Sequence, residues 1–184
     1  DFTLNLPGKY NVYNAAACLA ALGEFGVALK ECVKPLAAFK GIERRFDVYL
    51  QDEKSLVVDD FAHNPHKIAS MMEMSHAIRP SITYIFQPHG FAPTRMMKNE
   101  YIAAFAQSLR ATDRLLVLPI YYVGGTVAKD ISSEDIAAGV RAAGKQAQAC
   151  QREDILTKVK SGEAYIIFGA RDESLGQFAN QIAK

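Results

Sequence analysis

At 184 residues, with 49% apolar and 22% charged side chains, the chain fits one ordinary domain with something appended, or a single large domain. A formal charge of +1 leaves no electrostatic footprint for nucleic acid or an anionic membrane, and no stretch is long enough to cross a bilayer as a helix. Cys18, Cys32 and Cys150 are widely spaced, odd in number and without metal-ligand spacing, which reads as free thiols in a reducing, cytoplasmic setting.

The amino terminus has no basic segment followed by an apolar run, so it does not read as a signal peptide; it begins without Met and in mid-pattern, as if cut from something longer. Phe2, Leu4 and Leu6 alternate with polar residues and predict a short strand that Pro7-Gly8 breaks. Val12, Ala15, Ala16, Leu19 and Leu22 recur at helical spacing over Asn11 to Glu24, with Gly23 and Gly26 as stops. A second helix is predicted from Ala28 to Phe39, with Pro35 removing one backbone donor inside it.

After Gly41 the pattern changes, and a boundary is expected between Lys40 and Glu43, giving a first part of residues 1–41 and a second of 42–184. Phe46 to Leu50 and Ser55 to Asp60 read as two strands of a hairpin. Helices and strands then alternate: a helix from Pro65 to Ile78, the strand Ile82 to Phe86, a helix from Thr94 to Leu109, the strand Arg114 to Pro119, and a helix capped by Ser132 or Ser133. A short strand at Gln146 to Cys150, a helix at Glu153 to Lys160, the strand Ala164 to Phe168 and a helix from Ser174 to Lys184 complete the chain. Continuous apolar strands such as Leu115 to Leu118 and Tyr165 to Phe168 require a sheet covered on both faces. The fold class is therefore α/β: a Rossmann-like, doubly wound, mostly parallel sheet with one antiparallel edge strand, preceded by the short strand and two helices.

In such sheets ligands bind beyond the carboxyl ends of the strands. Polar and titratable residues gather there: Asp59, Asp60, His63, Asn64 and His66 after one strand; His89 and Arg95 after the next; Gly124-Gly125 after the fourth; Arg171, Asp172 and Ser174 after the last. Each has a structural alternative. Asp60 and Asn64 either cap the helix at Pro65 or contact a ligand. His63 and His66 either bind a metal with Asp59 or Asp60 or serve separately, and the metal reading is the weaker. His89 is either packed beside Pro88 or in contact with ligand. Arg44 and Arg45 are either a solvated edge or a fork closing on phosphate at the domain boundary. No Gly-x-x-x-x-Gly-Lys-Ser/Thr loop occurs, so a phosphate cradle would have to come from elsewhere.

Four segments, in order, resemble the Mur ligase family. Leu4-Asn5-Leu6-Pro7-Gly8-Lys9-Tyr10-Asn11-Val12-Tyr13-Asn14-Ala15 is similar to the end of that family's central ATPase domain. Phe39-Lys40-Gly41-Ile42-Glu43-Arg44-Arg45-Phe46 is similar to the junction into its third domain. Val58-Asp59-Asp60-Phe61-Ala62-His63-Asn64-Pro65 resembles the signature that follows, and Phe86-Gln87-Pro88-His89 resembles the UDP-N-acetylmuramate–alanine branch.

The resemblance implies an ATP-dependent ligase. It phosphorylates a carboxylate acceptor, a UDP-sugar of peptidoglycan synthesis, and joins it to an amino acid through an acyl phosphate. It also implies that ATP and Mg2+ are held mainly by a central domain, so the present chain alone would be inactive. Carried over by motif, Asn11 lies against adenine with Tyr10 stacking in place of the family's histidine. Arg45 reaches the ATP phosphates, Asp60 the ribose, and His63 and Asn64 the transferred group and incoming amino acid; Ser174 contacts the amino-acid carboxylate. The two arginines the alanine branch carries after Gln-Pro-His are Gly90 and Pro93 here, so Arg95 or Arg171 is expected to take over the carboxylate. The added group is thereby left open. Alternatives are a Mur-like ligase acting on another acceptor, or a stand-alone module binding a nucleotide or small anion without catalysis.

Overall fold

The computed structural model describes residues 3–184 and divides into two units, Asp1–Glu43 and Arg44–Lys184. In the first unit, α1 (Lys9–Glu24) and α2 (Leu29–Ala38) pack on each other and bury Ala15 and Cys32. Gly26, at φ 78°, ends α1 in a Schellman turn: Val27 N donates to Leu22 O at 3.0 Å and Gly26 N to Gly23 O at 2.9 Å. The predicted first strand does not form. Phe2 lies outside the described residues, and residues 3–7 are irregular, tied by Asn5 Nδ2 donating to Ala37 O at 2.6 Å. Alternating apolar residues become a strand only where a neighbour supplies the ladder.

The second unit is a six-stranded sheet with the order β1-β2-β6-β3-β4-β5. Its strands are β1 (Asp47–Gln51), β2 (Leu56–Asp60), β3 (Thr83–Gln87), β4 (Arg114–Val117), β5 (Ala147–Ala149) and β6 (Ala164–Gly169). All pairings are parallel except β1 with β2, the expected antiparallel edge. The central strands alternate their burial between two layers. Val58, Tyr84, Phe86, Ile166 and Phe168 pack under α3 (Pro65–His76), α5 (Lys98–Ser108) and α6 (Ser133–Ala142). Val57, Ile85, Tyr165 and Ile167 pack under α7 (Arg152–Leu156) and α8 (Leu175–Ile182).

The predicted helix over 94–109 is two helices, α4 (Phe91–Met96) and α5, broken at Met97, whose φ −98° and ψ 9° leave the helical well. Gly90, at φ 69°, starts α4 early, and Pro93 sits in its first turn, where no backbone donor is needed. The helix predicted to Lys160 is only the short α7.

β6 is inserted between β2 and β3. The chains leaving β2 and β3 run into helices on one face, while the chain leaving β6 runs into α8 on the other. The carboxyl end of β6 is therefore a topological switch point, where such sheets open a crevice.

Candidate functional site

The rim is built from three strand ends in fixed register. Asp60 pairs with Phe168 and Gln87 with Gly169, so His89 and Arg171 each lie two residues beyond one rung. Asp60 is buried behind this rim. Its Oδ2 accepts Phe46 N at 2.8 Å and its Oδ1 accepts Ala62 N at 2.7 Å. Burial pushes its carboxyl up despite those amides. Asp59 binds Arg44: Nε donates to Oδ2 at 2.8 Å, and Arg44 Nη2 donates to Gly169 O at 2.8 Å. Burial pushes Asp59 up to about 6; Arg44 opposes this, and Asp60 and Asp47 add to it. Asp60 has both carboxylate oxygens taken and Asp59 one of its two, so a metal shared with His63 and His66 would find only the buried Asp59 Oδ1 as an acidic ligand. Among the described residues no group of three His, Cys, Asp or Glu is arranged for a metal.

In front of the aspartates, cationic and aromatic groups form a continuous run. The Arg44 and Arg45 guanidiniums lie 5.2 and 5.6 Å from the Phe61 ring centre, within cation–π range. Phe61 meets the His63 ring edge-on at 5.4 Å, and His63 meets His89 at 5.7 Å. His63 Nδ1 is 2.8 Å from Phe61 O. A carbonyl only accepts, so Nδ1 carries the proton and Nε2 is the nitrogen left to a ligand. Tyr101 Oη anchors the same residue by donating to His63 O at 2.7 Å. Burial lowers the pKa of His89, and the charges of His63 and Arg171 lower it further, so Arg171 is electrostatically part of this group.

Among the described residues three non-glycine positions have left-handed backbone, Arg44 (φ 58°), Phe46 (φ 52°) and Arg171 (φ 73°), and all border this rim. Such conformations persist only where the surroundings over-determine them, and they cluster at functional sites. Arg45 and Arg171 are both exposed, and among the described residues neither side chain is hydrogen-bonded.

The other expected site residues are occupied differently. Asn64 is the N-cap of α3, its Oδ1 accepting Lys67 N at 3.0 Å. Arg95 pairs with Asp130, its Nε donating at 2.8 Å, and reaches Ala128 O at 3.0 Å. Ser174 Oγ donates to Asp172 Oδ1 at 2.6 Å and accepts from Arg152 Nη1 at 2.8 Å. Arg152 also donates to Gln87 Oε1 at 3.0 Å and pairs with Asp172. Asp172 resists ionisation through burial, but Ser174 and Arg152 hold it below the usual carboxylate range. Arg152 was missed in the sequence, although it follows β5 and the strand-end rule covers that loop equally. In the first unit, Asn11 Nδ2 donates to Pro7 O at 2.7 Å, and Tyr10 stands half-exposed on the first turn of α1.

A doubly wound sheet with cationic and imidazole groups at its switch point defines an α/β module with a cationic, imidazole-lined rim. The family model described as Mur ligase, glutamate ligase domain matches residues 44–171. Among curated relatives, the UDP-N-acetylmuramate–L-alanine ligase of Pseudothermotoga lettingae is 34% identical over 94% of this chain and 39% of its own length. That of Francisella philomiragia is 36% identical over 74% of this chain and 30% of its own. The solved UDP-N-acetylmuramate–alanine ligase of Thermotoga maritima superposes with a TM-score of 0.75 at 23% identity, over 98% of this chain and 38% of its own. A folylpolyglutamate synthase from Thermotoga maritima shares the fold at a TM-score of 0.61 and 20% identity, over all of this chain and 39% of its own. The chain belongs to the Mur ligase family. It spans 30% and 39% of the length of the two curated relatives above.

Proposed function

We propose that the chain is the carboxyl-terminal portion of an ATP-dependent, cytoplasmic acid–amino-acid ligase acting on a UDP-N-acetylmuramate-like carboxylate, and that residues 42–184 are its amino-acid-binding domain. The observation that carries this reading is the unbroken run Arg45–Phe61–His63–His89 with Arg171 at the switch point of the sheet. It supplies positive charge and one unengaged imidazole nitrogen where a phosphorylated carboxylate and an amine would meet. Residues 1–41 read as the end of the ATP-binding domain. In support, this part exposes Val12, Tyr13, Phe25 and Leu29 at 59% or more of their surface, an apolar excess that suits a face cut from a larger core.

The acceptor carboxylate attacks the terminal phosphorus of ATP and ADP leaves. The amino group of the incoming amino acid then attacks the acyl carbon, inorganic phosphate leaves, and the nitrogen loses a proton. Arg45 is assigned to the transferring phosphoryl charge, where a planar fork makes paired charge-assisted bonds. His63 Nε2 is assigned to the proton of the attacking amine, with Nδ1 held by Phe61 O fixing the tautomer. Mg2+ would accompany the ATP phosphates. Asp60 is committed to backbone amides, Asp172 to Arg152 and Ser174, and Asp59 keeps only its buried Oδ1 without a partner, so these residues do not fit a metal cage and no step here passes through one.

The incoming group is held differently from what an alanine ligase would suggest. Gly90 and Pro93 stand where arginines are expected, and Arg95 is engaged by Asp130. Arg171 is the remaining exposed guanidinium beside His89 and takes the carboxylate. The test is phosphate release by the full-length protein, screened over the twenty amino acids and candidate acceptors. We expect release that needs both an amino acid and a carboxylate acceptor, and none from the 184-residue chain alone. Amino-acid-independent hydrolysis, or turnover by the chain alone, would refute the assignment.

A further inference from the structure

Two adjacent arginines and two adjacent aspartates meet at the start of the second unit, and they are used unequally. Arg44 is almost enclosed, its guanidinium shared between Asp59 and the carbonyl of Gly169. Phe46 is buried, and its backbone N–H is taken by Asp60. Both residues have left-handed backbone, which side-chain-bearing residues adopt only when held. Between them stands Arg45, exposed and free of hydrogen bonds among the described residues.

We propose that Arg44 and Asp59 are positioning residues for Arg45: their ion pair and the Gly169 contact fix the backbone before it, Asp60 fixes the backbone after it, and the Arg45 guanidinium is delivered preorganised to a phosphate. This rests on the phosphoryl role assigned to Arg45 above. Stability alone is a poor reason for the arrangement. Asp59 Oδ1 is buried without a partner, and a buried ion pair with an orphaned oxygen is commonly no better than apolar packing. Preorganisation is a better one, because a side chain whose backbone is already fixed loses less freedom on binding. The geometry also requires arginine at 44, since a lysine, a single point charge, cannot span Asp59 and the Gly169 carbonyl as a planar fork does.

The experiment is a double-mutant cycle in the full-length ligase, measuring kcat and KM for ATP together with unfolding midpoints. Arg44→Lys and Asp59→Asn are each expected to lower kcat/KM for ATP by about tenfold when Arg45 is present. In an Arg45→Ala background each should lower it by less than about twofold, because the group they position is gone. Equal losses in both backgrounds would show a merely structural role and overturn the proposal. If Arg45→Ala alone left kcat/KM unchanged, the phosphate assignment of Arg45 would fail first, and the positioning role with it.

Discussion

Arg171 sits at φ 73°, between buried Ala170 and an Asp172 held by Arg152 and Ser174. Glycine would occupy that conformation at no steric cost, so the backbone does not call for a side chain there. Arg171→Gly should therefore raise unfolding stability by about 1 kcal/mol. The same change should raise KM for the incoming amino acid by roughly tenfold or more, the loss of a charge-assisted contact. Arg95→Ala should leave that KM within about twofold, because Arg95 is occupied by Asp130. Unfolding curves and steady-state kinetics on the two variants check this; an unchanged KM for Arg171→Gly would remove it from the substrate. At this scale the sequence was legible in kind but not in use. His63, His89 and Arg171 follow strand ends and were visible as candidates. That Arg44 would be the enclosed arginine and Arg45 the exposed one depends on Asp59, 15 residues away, which neither periodicity nor spacing reveals. Arg152, on a short helix with acidic neighbours, looks like any solvated arginine until Gln87 and Asp172 are brought to it.

At the scale of elements, the end of β6 sets the rim. Gly169, at φ 152°, leaves so little room that a Cβ would lie 2.5 Å from the carbonyl oxygen of Gln87, a backbone atom that cannot move aside. Its own carbonyl also receives Arg44. Gly169→Ala is thus expected to cost about 1–3 kcal/mol of stability, read from denaturant midpoints, since it adds backbone strain and a clash between two central strands. A neutral substitution would mean that β3 and β6 are not locked where the site needs them. The strands themselves were readable because Leu115–Leu118 and Tyr165–Phe168 are continuous apolar runs. The break at Met97 and the early end of α7 were not, since both follow from tertiary packing overriding a helical pattern.

For the whole molecule, alternation of strands and helices was enough to anticipate a doubly wound sheet with an antiparallel edge. The insertion of β6 between β2 and β3 was not, because pairing over more than 100 residues leaves no local trace, yet it is what creates the switch point. The strand predicted across Phe2 to Leu6 failed beyond Phe2 for a related reason: a strand is defined by a partner, and residues 3–7 have none among the described residues. The central claim is that this rim is one half of an active site completed by an ATP-binding domain. It is tested most directly by a crystal structure of the full-length ligase with a non-hydrolysable ATP analogue and its carboxylate acceptor. Arg45 is expected within hydrogen-bonding distance of the terminal phosphate and His63 beside the acceptor carboxylate, with Arg171 left free on the side from which the amino acid enters. Ligand seated instead at the amino ends of the strands, in the hollow of about 490 Å3 lined by Lys54, Arg79 and Arg114, would contradict it.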